Sequence, residues 1–208
     1  MFGTVFIARQ PYNGEKQGGV IMEHRSSIST RKIVFTALMA ALTVAGSALR
    51  ITIPVDIAGT TSFHLGNIMC ALGGILLGPW YGALAAGLGS AIYDMMNPLY
   101  ISEAWITFLT KAAYGLAAGV VCRKSDWTYA RATFATVAGA LTYAALYLAK
   151  TCFYSGMLLK GLSLEAAALT VVTKLPATTF NAVVAIVFAP VLAVSIRSAL
   201  KKNRLYLN

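Results

Sequence analysis

Residues 63–111 read FHLGNIMCALGGILLGPWYGALAAGLGSAIYDMMNPLYISEAWITFLTK. From Leu65 to Tyr93 no residue is charged, glycine recurs, and Gly78-Pro79 interrupts the run. The stretch then closes on polar groups: Asp94, Asn97, Glu103, Thr107 and Lys111. Apolar helices that approach one another through small residues, with a few polar groups gathered toward one face, describe a membrane protein that handles a small solute.

The rest of the chain agrees. It has 208 residues, of which 58% are hydrophobic and 12% charged. Its mean hydropathy is +0.69. A soluble domain carries roughly 25% charged residues. A helix needs about 20 residues to cross a bilayer, so this length allows about six crossings and leaves no room for a soluble catalytic domain. The net charge of +10 is spread over the ends of apolar segments. That placement argues against nucleic-acid binding and for membrane orientation. Cys70, Cys122 and Cys152 lie in or beside apolar runs. Their odd count, without CxxC spacing, predicts neither a disulfide framework nor a metal site, and they read as small packing residues. There is no GxSxG and no HExxH, and the histidines are His24 and His64. No catalytic residue, metal or cofactor is expected.

Six spans are predicted: Ile33–Leu49, about Phe63–Leu77, Trp80–Met95, Ala104–Cys122, Ala130–Tyr154 and Leu175–Ile196. Gly78-Pro79 forms the turn between the second and third. A further helix, Ser163–Thr173, begins at a Ser163 N-cap with Glu165 in its first turn, and is expected at the surface or folded back into the protein. Arg25, Arg31 and Lys32 precede the first span. Arg123, Lys124 and Arg131 flank the loop after the fourth, and Arg197, Lys201, Lys202 and Arg204 follow the sixth. With six crossings all these groups fall on one side, which the positive-inside rule makes cytoplasmic. The predicted fold is therefore an all-α integral membrane protein of six transmembrane helices with both termini inside. Residues 31–199 form the membrane domain, between a 1–30 tail and a basic 200–208 tail. Residues 1–21 resemble nothing that follows. Either the natural start is Met22, with Gln17-Gly18-Gly19 read from a ribosome-binding sequence, or they form a short cytoplasmic tail.

Small residues recur at spacing four. Gly74, Gly78 and Gly82, and then Gly115 and Gly119, are expected to pack helices against one another. Ala37, Ala41 and Ala45 make a longer row in the first span. It suits either internal packing or a separate membrane subunit docked on a smooth face.

The polar residues suggest a binding site. Lys111 lies about eight residues into its span, roughly 12 Å deep at 1.5 Å per residue. A lysine there must be paired, hydrated or in contact with ligand, and Asp94 is its expected partner if the role is structural. Glu103, Thr107 and Lys111 share one face. Tyr143, Tyr147, Lys150 and Tyr154 form a second stripe, and Lys174, Thr178 and Asn181 a third. Trp105 and Tyr114 add aromatic walls. Asn67 and Asn97 complete the candidate set of Asn67, Asp94, Asn97, Glu103, Trp105, Lys111, Tyr114, Tyr143, Tyr147, Lys150, Lys174, Thr178 and Asn181. Amides, hydroxyls, lysines and aromatic rings together suit a flat polar molecule such as a heterocycle or vitamin.

Four motifs carry a family resemblance: His64-Leu65-Gly66-Asn67, Gly78-Pro79 with Gly82, Asp94 at the end of a span, and Lys111 with Gly115. The chain resembles the substrate-binding S components of energy-coupling factor (ECF) transporters, in the riboflavin-type branch, over about Ile33–Ile196. The resemblance implies a six-helix, high-affinity vitamin-binding subunit in a bacterial plasma membrane. It implies partners too: a transmembrane T component and two ATPase subunits that hydrolyse ATP on its behalf. Docking on the T component would use Ala37, Ala41 and Ala45, and delivery would occur by toppling in the bilayer. Asn67 departs from the acid frequent at its position. A stand-alone secondary transporter of a small polar solute is the alternative. Against it, residues 33–122 and 130–199 show no internal repeat.

Overall fold

The computed structural model describes residues 30–55, 59–123 and 127–203. The question of the natural start at Met22 lies outside the described residues. Six α-helices occur among the described residues: α1 Thr30–Ala48, α2 Gly66–Leu77, α3 Pro79–Met95, α4 Ala104–Val121, α5 Tyr129–Ala149 and α6 Leu164–Lys202. α3 lies against α1, α2 and α4, while α5 packs between α4 and α6.

Residue size is distributed as a membrane requires. Many buried positions are small, with Ala85, Ala86, Ala118, Ala132, Ala135, Ala185, Ala189 and Ala193 fully covered. The outward faces carry Ile33, Leu38, Trp80, Phe134, Leu141, Val187 and Phe188. In lipid, large apolar groups gain nothing by turning inward, and small ones let backbones come close. Cys70 and Cys122 are buried and unbridged, as packing residues would be.

The glycines of α2, α3 and α4 meet at one crossing. A Cβ at Gly82 would stand 2.5 Å from the Gly74 Cα, and one at Gly115 would stand 2.5 Å from the Gly82 carbonyl oxygen. A Cβ at Gly74 would in turn strike the Gly115 carbonyl oxygen. Between α2 and α3, Gly78 takes φ 80° and Pro79 opens the next helix, so the chain reverses without a loop.

The structure corrects the predicted fold at several points. Arg50–Val55 (β1) and Gly59–His64 (β2) pair as an antiparallel hairpin, with Arg50 opposite His64 and Ile53 opposite Thr61. Their β-branched residues favour the pleated form, and Pro54 sits on a two-stranded ribbon that has room for it. α2 therefore starts at Gly66 rather than Phe63. The expected Ser163–Thr173 helix is not separate. It is the first part of a continuous 39-residue α6 that carries Pro176 and Pro190 within it and runs on through Lys202. Ser163 caps it as anticipated, its hydroxyl accepting from the Ala166 N–H at 3.3 Å. Beyond Ala149 the α5 axis continues as a π-helical segment, Lys150–Leu159. Among the described residues, four helical stretches are long and apolar enough to cross a membrane: Thr30–Ala48, Ile101–Val121, Tyr129–Leu159 and Leu164–Lys202. α2, with 12 residues, and α3, with 17, are shorter.

Candidate binding cavity

A cavity of about 400 Å³ opens at the end of the bundle that holds the hairpin. Its walls come from the hairpin, the turns after α3, the first half of α4, the end of α5 with the π-helical segment, and the first half of α6.

The π-helical segment explains one wall. Its wider i→i+5 turns bring residues at intervals of five onto one face. Lys150, Ser155 and Lys160 form one such row and Thr151 with Gly156 another, and all five line the cavity. Opposite them a 3₁₀ turn, Ile101–Glu103, leads into α4. Glu103 there accepts from Lys150 Nζ at 2.5 Å and from Ser155 Oγ at 2.5 Å, which clamps the start of α4 to the π-helical segment.

Lys111 is 4% exposed. Its ammonium donates to Asn67 Oδ1 and stands 3.8 Å above the centre of the Tyr143 ring. The expected Asp94–Lys111 ion pair is not formed. Asp94 accepts instead from Thr107, and the ion pair among the described residues is Lys150–Glu103. A neutral amide and an electron-rich ring therefore stand where the sequence suggested a carboxylate.

Behind Lys111 the tyrosines form a stack. Tyr143 lies 5.5 Å from Tyr147 and 6.0 Å from Tyr114, with interplanar angles of 25° and 26°. Tyr114 is fully buried, and Gly139 admits its ring, since a Cβ at that position would run into it.

The hairpin is held from α6. Asn181 Oδ1 accepts from the His64 N–H at 2.9 Å, and Asn181 Nδ2 donates to the Ser62 carbonyl at 2.9 Å. The amide thus takes the place of a third strand at the free edge of β2. A second contact, Ser62 Oγ to Tyr100 hydroxyl at 3.2 Å, joins the hairpin to the turn after α3. The His64 ring accepts the Gly66 N–H at Nδ1 over 3.2 Å, which places the proton of the neutral ring on Nε2.

The structure brings Asp94, Glu103, Lys111, Tyr143, Tyr147, Lys150, Lys174, Thr178 and Asn181 to the cavity wall. Asn67 and Tyr114 stand one layer behind, supporting Lys111 and Tyr143. Asn97 turns its side chain to its own loop, accepting from the Leu99 N–H at 3.1 Å. Trp105 is 56% exposed and faces outward, where it donates to the Tyr154 hydroxyl at 3.2 Å. Sequence reasoning missed Arg50, Ser62, His64 and Tyr100, which line the cavity because the hairpin and the turn fold over it. The β-branched run Ile51-Thr52-Ile53 was the available signal for that hairpin.

Comparison with known proteins points the same way. A family model described as ECF-type riboflavin transporter, S component, matches residues 27–198. An "uncharacterized protein in gap 3'region" from Pyrococcus woesei is 35% identical over 101 residues, which are 49% of this chain. The chain spans 64% of the length of that curated relative.

Proposed function

The chain belongs to the family of ECF-type riboflavin transporter S components, the non-enzymatic, substrate-binding subunits of a membrane transporter, and on that premise we propose that it captures a vitamin or related micronutrient in the cavity above. The observation that carries this reading is the cavity itself. A space of about 400 Å³, walled by a tyrosine stack, hydroxyls, amides and lysines, is of the size and character that suit a flat polar ligand.

In this reading the polypeptide crosses the bilayer six times, with the hairpin making up the length that α2 lacks and both termini in the cytoplasm of a bacterial cell. Residues 31–199 constitute the membrane domain. The cavity then opens outward, at the end opposite the described termini. Ligand contacts come from Asp94, Glu103, Lys111, Tyr143, Tyr147, Lys150, Lys174, Thr178 and Asn181, with Asn67 and Tyr114 behind them. Energy comes from partners, a T component and two ATPase subunits, and the ligand is delivered inward by toppling. Support for docking through α1 comes from the alanine row. Ala37, Ala41 and Ala45 are all exposed, beside Ile33, Val34, Leu38 and Leu42. They do not pack the bundle interior.

Two measurements test these statements. Mass spectrometry of small molecules released from the purified, detergent-solubilised protein is expected to show one vitamin-class compound at stoichiometric amount. Riboflavin is the first to look for, through its yellow colour and fluorescence. If riboflavin and the other water-soluble vitamins, added singly, neither co-purify nor raise the melting temperature, the binding-subunit reading is lost. Separately, Ala41→Trp is expected to reduce uptake in cells to background, because an indole would hold the docked helix away. Ligand binding to the isolated variant should stay at the wild-type level. Loss of binding as well would return the row to a role within the bundle.

A further inference from the structure

The charges on the cavity wall do not balance. Arg50 opens β1 and lines the cavity. Its Nε donates to the Ser47 carbonyl at 2.9 Å. Its guanidinium lies 4.2 Å from the centre of the Tyr93 ring and 5.0 Å from that of Tyr100. These contacts hold the planar group flat. Its two terminal nitrogens have no hydrogen-bond partner among the described residues. Lys111, nearly fully buried, touches an amide and an aromatic face, both uncharged. Neither cation has a carboxylate within ion-pair distance among the described residues, where the ion pair is Lys150–Glu103.

On the same wall Asp94 offers the remaining carboxylate, and Thr107 already donates to it. Five cations, Arg50, Lys111, Lys150, Lys160 and Lys174, thus line a cavity that holds two carboxylates, Asp94 and Glu103. An uncompensated charge is costly at a site as buried as that of Lys111, which is 4% exposed, and a bound anion removes the cost. A flat, pre-oriented guanidinium presents two parallel donors that match a carboxylate or a phosphate.

We propose that the ligand is an aromatic compound bearing a negatively charged group, a phosphate ester or a carboxylate, held against Arg50 and Lys111 while its ring lies along the tyrosine stack. This rests on the binding-subunit reading and adds to it the charge of the ligand and the residues that select it.

The test uses matched pairs on the purified full chain by calorimetry at low salt. They are riboflavin with its 5′-phosphate, pyridoxine with its 5′-phosphate, and nicotinamide with nicotinate. The first two pairs probe a phosphate and the third a carboxylate. The anionic member is expected to bind about tenfold or more tightly than its neutral counterpart. Arg50→Gln should shrink that ratio to about threefold or less, and measurable binding of the neutral member shows that the cavity still forms. Lys111→Met is the second variant, should the first loosen the hairpin. A neutral member that binds as well as its anionic partner overturns the proposal and leaves the binding-subunit reading standing. A ratio unchanged in both variants overturns it too. Failure of every member of every pair to bind overturns the proposal, while the binding-subunit reading falls only if the wider vitamin screen above fails as well.

Discussion

Gly82→Ala is expected to lower the melting temperature of the detergent-solubilised protein by roughly 6–12 °C, at about 2–4 °C per kcal/mol and a cost of about 3 kcal/mol. The added methyl would meet Gly74 Cα at 2.5 Å and the Gly73 carbonyl oxygen and Gly74 nitrogen at 2.7 Å. These are backbone atoms of a helix that is itself wedged against α4, so no side chain can swing aside. Gly82→Leu should leave no folded protein at all. The matched control lies at the same crossing. A Cβ at Gly73 would have its nearest neighbour, the Gly82 carbonyl oxygen, at 3.6 Å. Gly73→Ala should therefore be neutral or stabilising by up to about 1 kcal/mol, since alanine is the better helix former. Equal melting temperatures for the two variants would mean that the close approach of α2 and α3 is not what holds the bundle together.

The second large effect is expected at Glu103. Glu103→Ala leaves Lys150, whose side chain is 8% exposed, without the carboxylate 2.5 Å away. Removing one member of a fully buried pair costs about 3–5 kcal/mol; this pair is part-buried and lines the open cavity, so about 1–3 kcal/mol is expected here. Glu103→Gln keeps an acceptor for Lys150 and Ser155 and should cost less. Removing both charges, in Glu103→Ala with Lys150→Ala, should recover much of the loss, since the stranded charge goes with its partner. Thermal unfolding of the wild type, Glu103→Ala alone, Lys150→Ala alone and the double variant reads the coupling directly. Additive losses would show that the clamp between the start of α4 and the π-helical segment contributes nothing as a pair. Both residues line the cavity, so ligand affinity is measured alongside, to separate a loosened wall from a lost contact.

The sequence disclosed the membrane character and the general position of the cavity, because composition and helical spacing report those properties directly. Lys111, Tyr143, Tyr147 and Lys150 stood out as polar groups inside apolar runs, and the structure gathers them on one wall. What helical spacing could not show was any departure from the α-helix. The hairpin bends Arg50 and His64 over the cavity, and its alternation of Ile and Thr is short beside the apolar runs that flank it. The five-residue repeat of Lys150, Ser155 and Lys160 belongs to a π-helical turn and falls out of phase with the α-helical pattern. The Asp94–Lys111 pairing failed for a related reason. Opposite charges on neighbouring spans suggest a partner, but Asn67, from a third helix, reaches the ammonium. Trp105 was read as an aromatic wall, yet it stands two residues beyond Glu103, a turn of about 200° along a helix, and lies on the outer surface.

The length of α2 bears on how the protein comes to exist. Its 12 residues reach about 18 Å, well short of a hydrocarbon core of about 30 Å. Eleven of those residues are buried by neighbouring helices. Such a segment cannot settle in the bilayer as an independent span and wait for its neighbours. It has to enter joined to α3 through the Gly78-Pro79 reversal, as a helical hairpin, and it gains its surroundings only when α4 closes on Gly74. For this part of the chain, insertion and tertiary packing are therefore a single event. A variant that blocks the glycine crossing should show itself during synthesis, as a nascent chain surrendered to membrane proteases, before any question of transport arises.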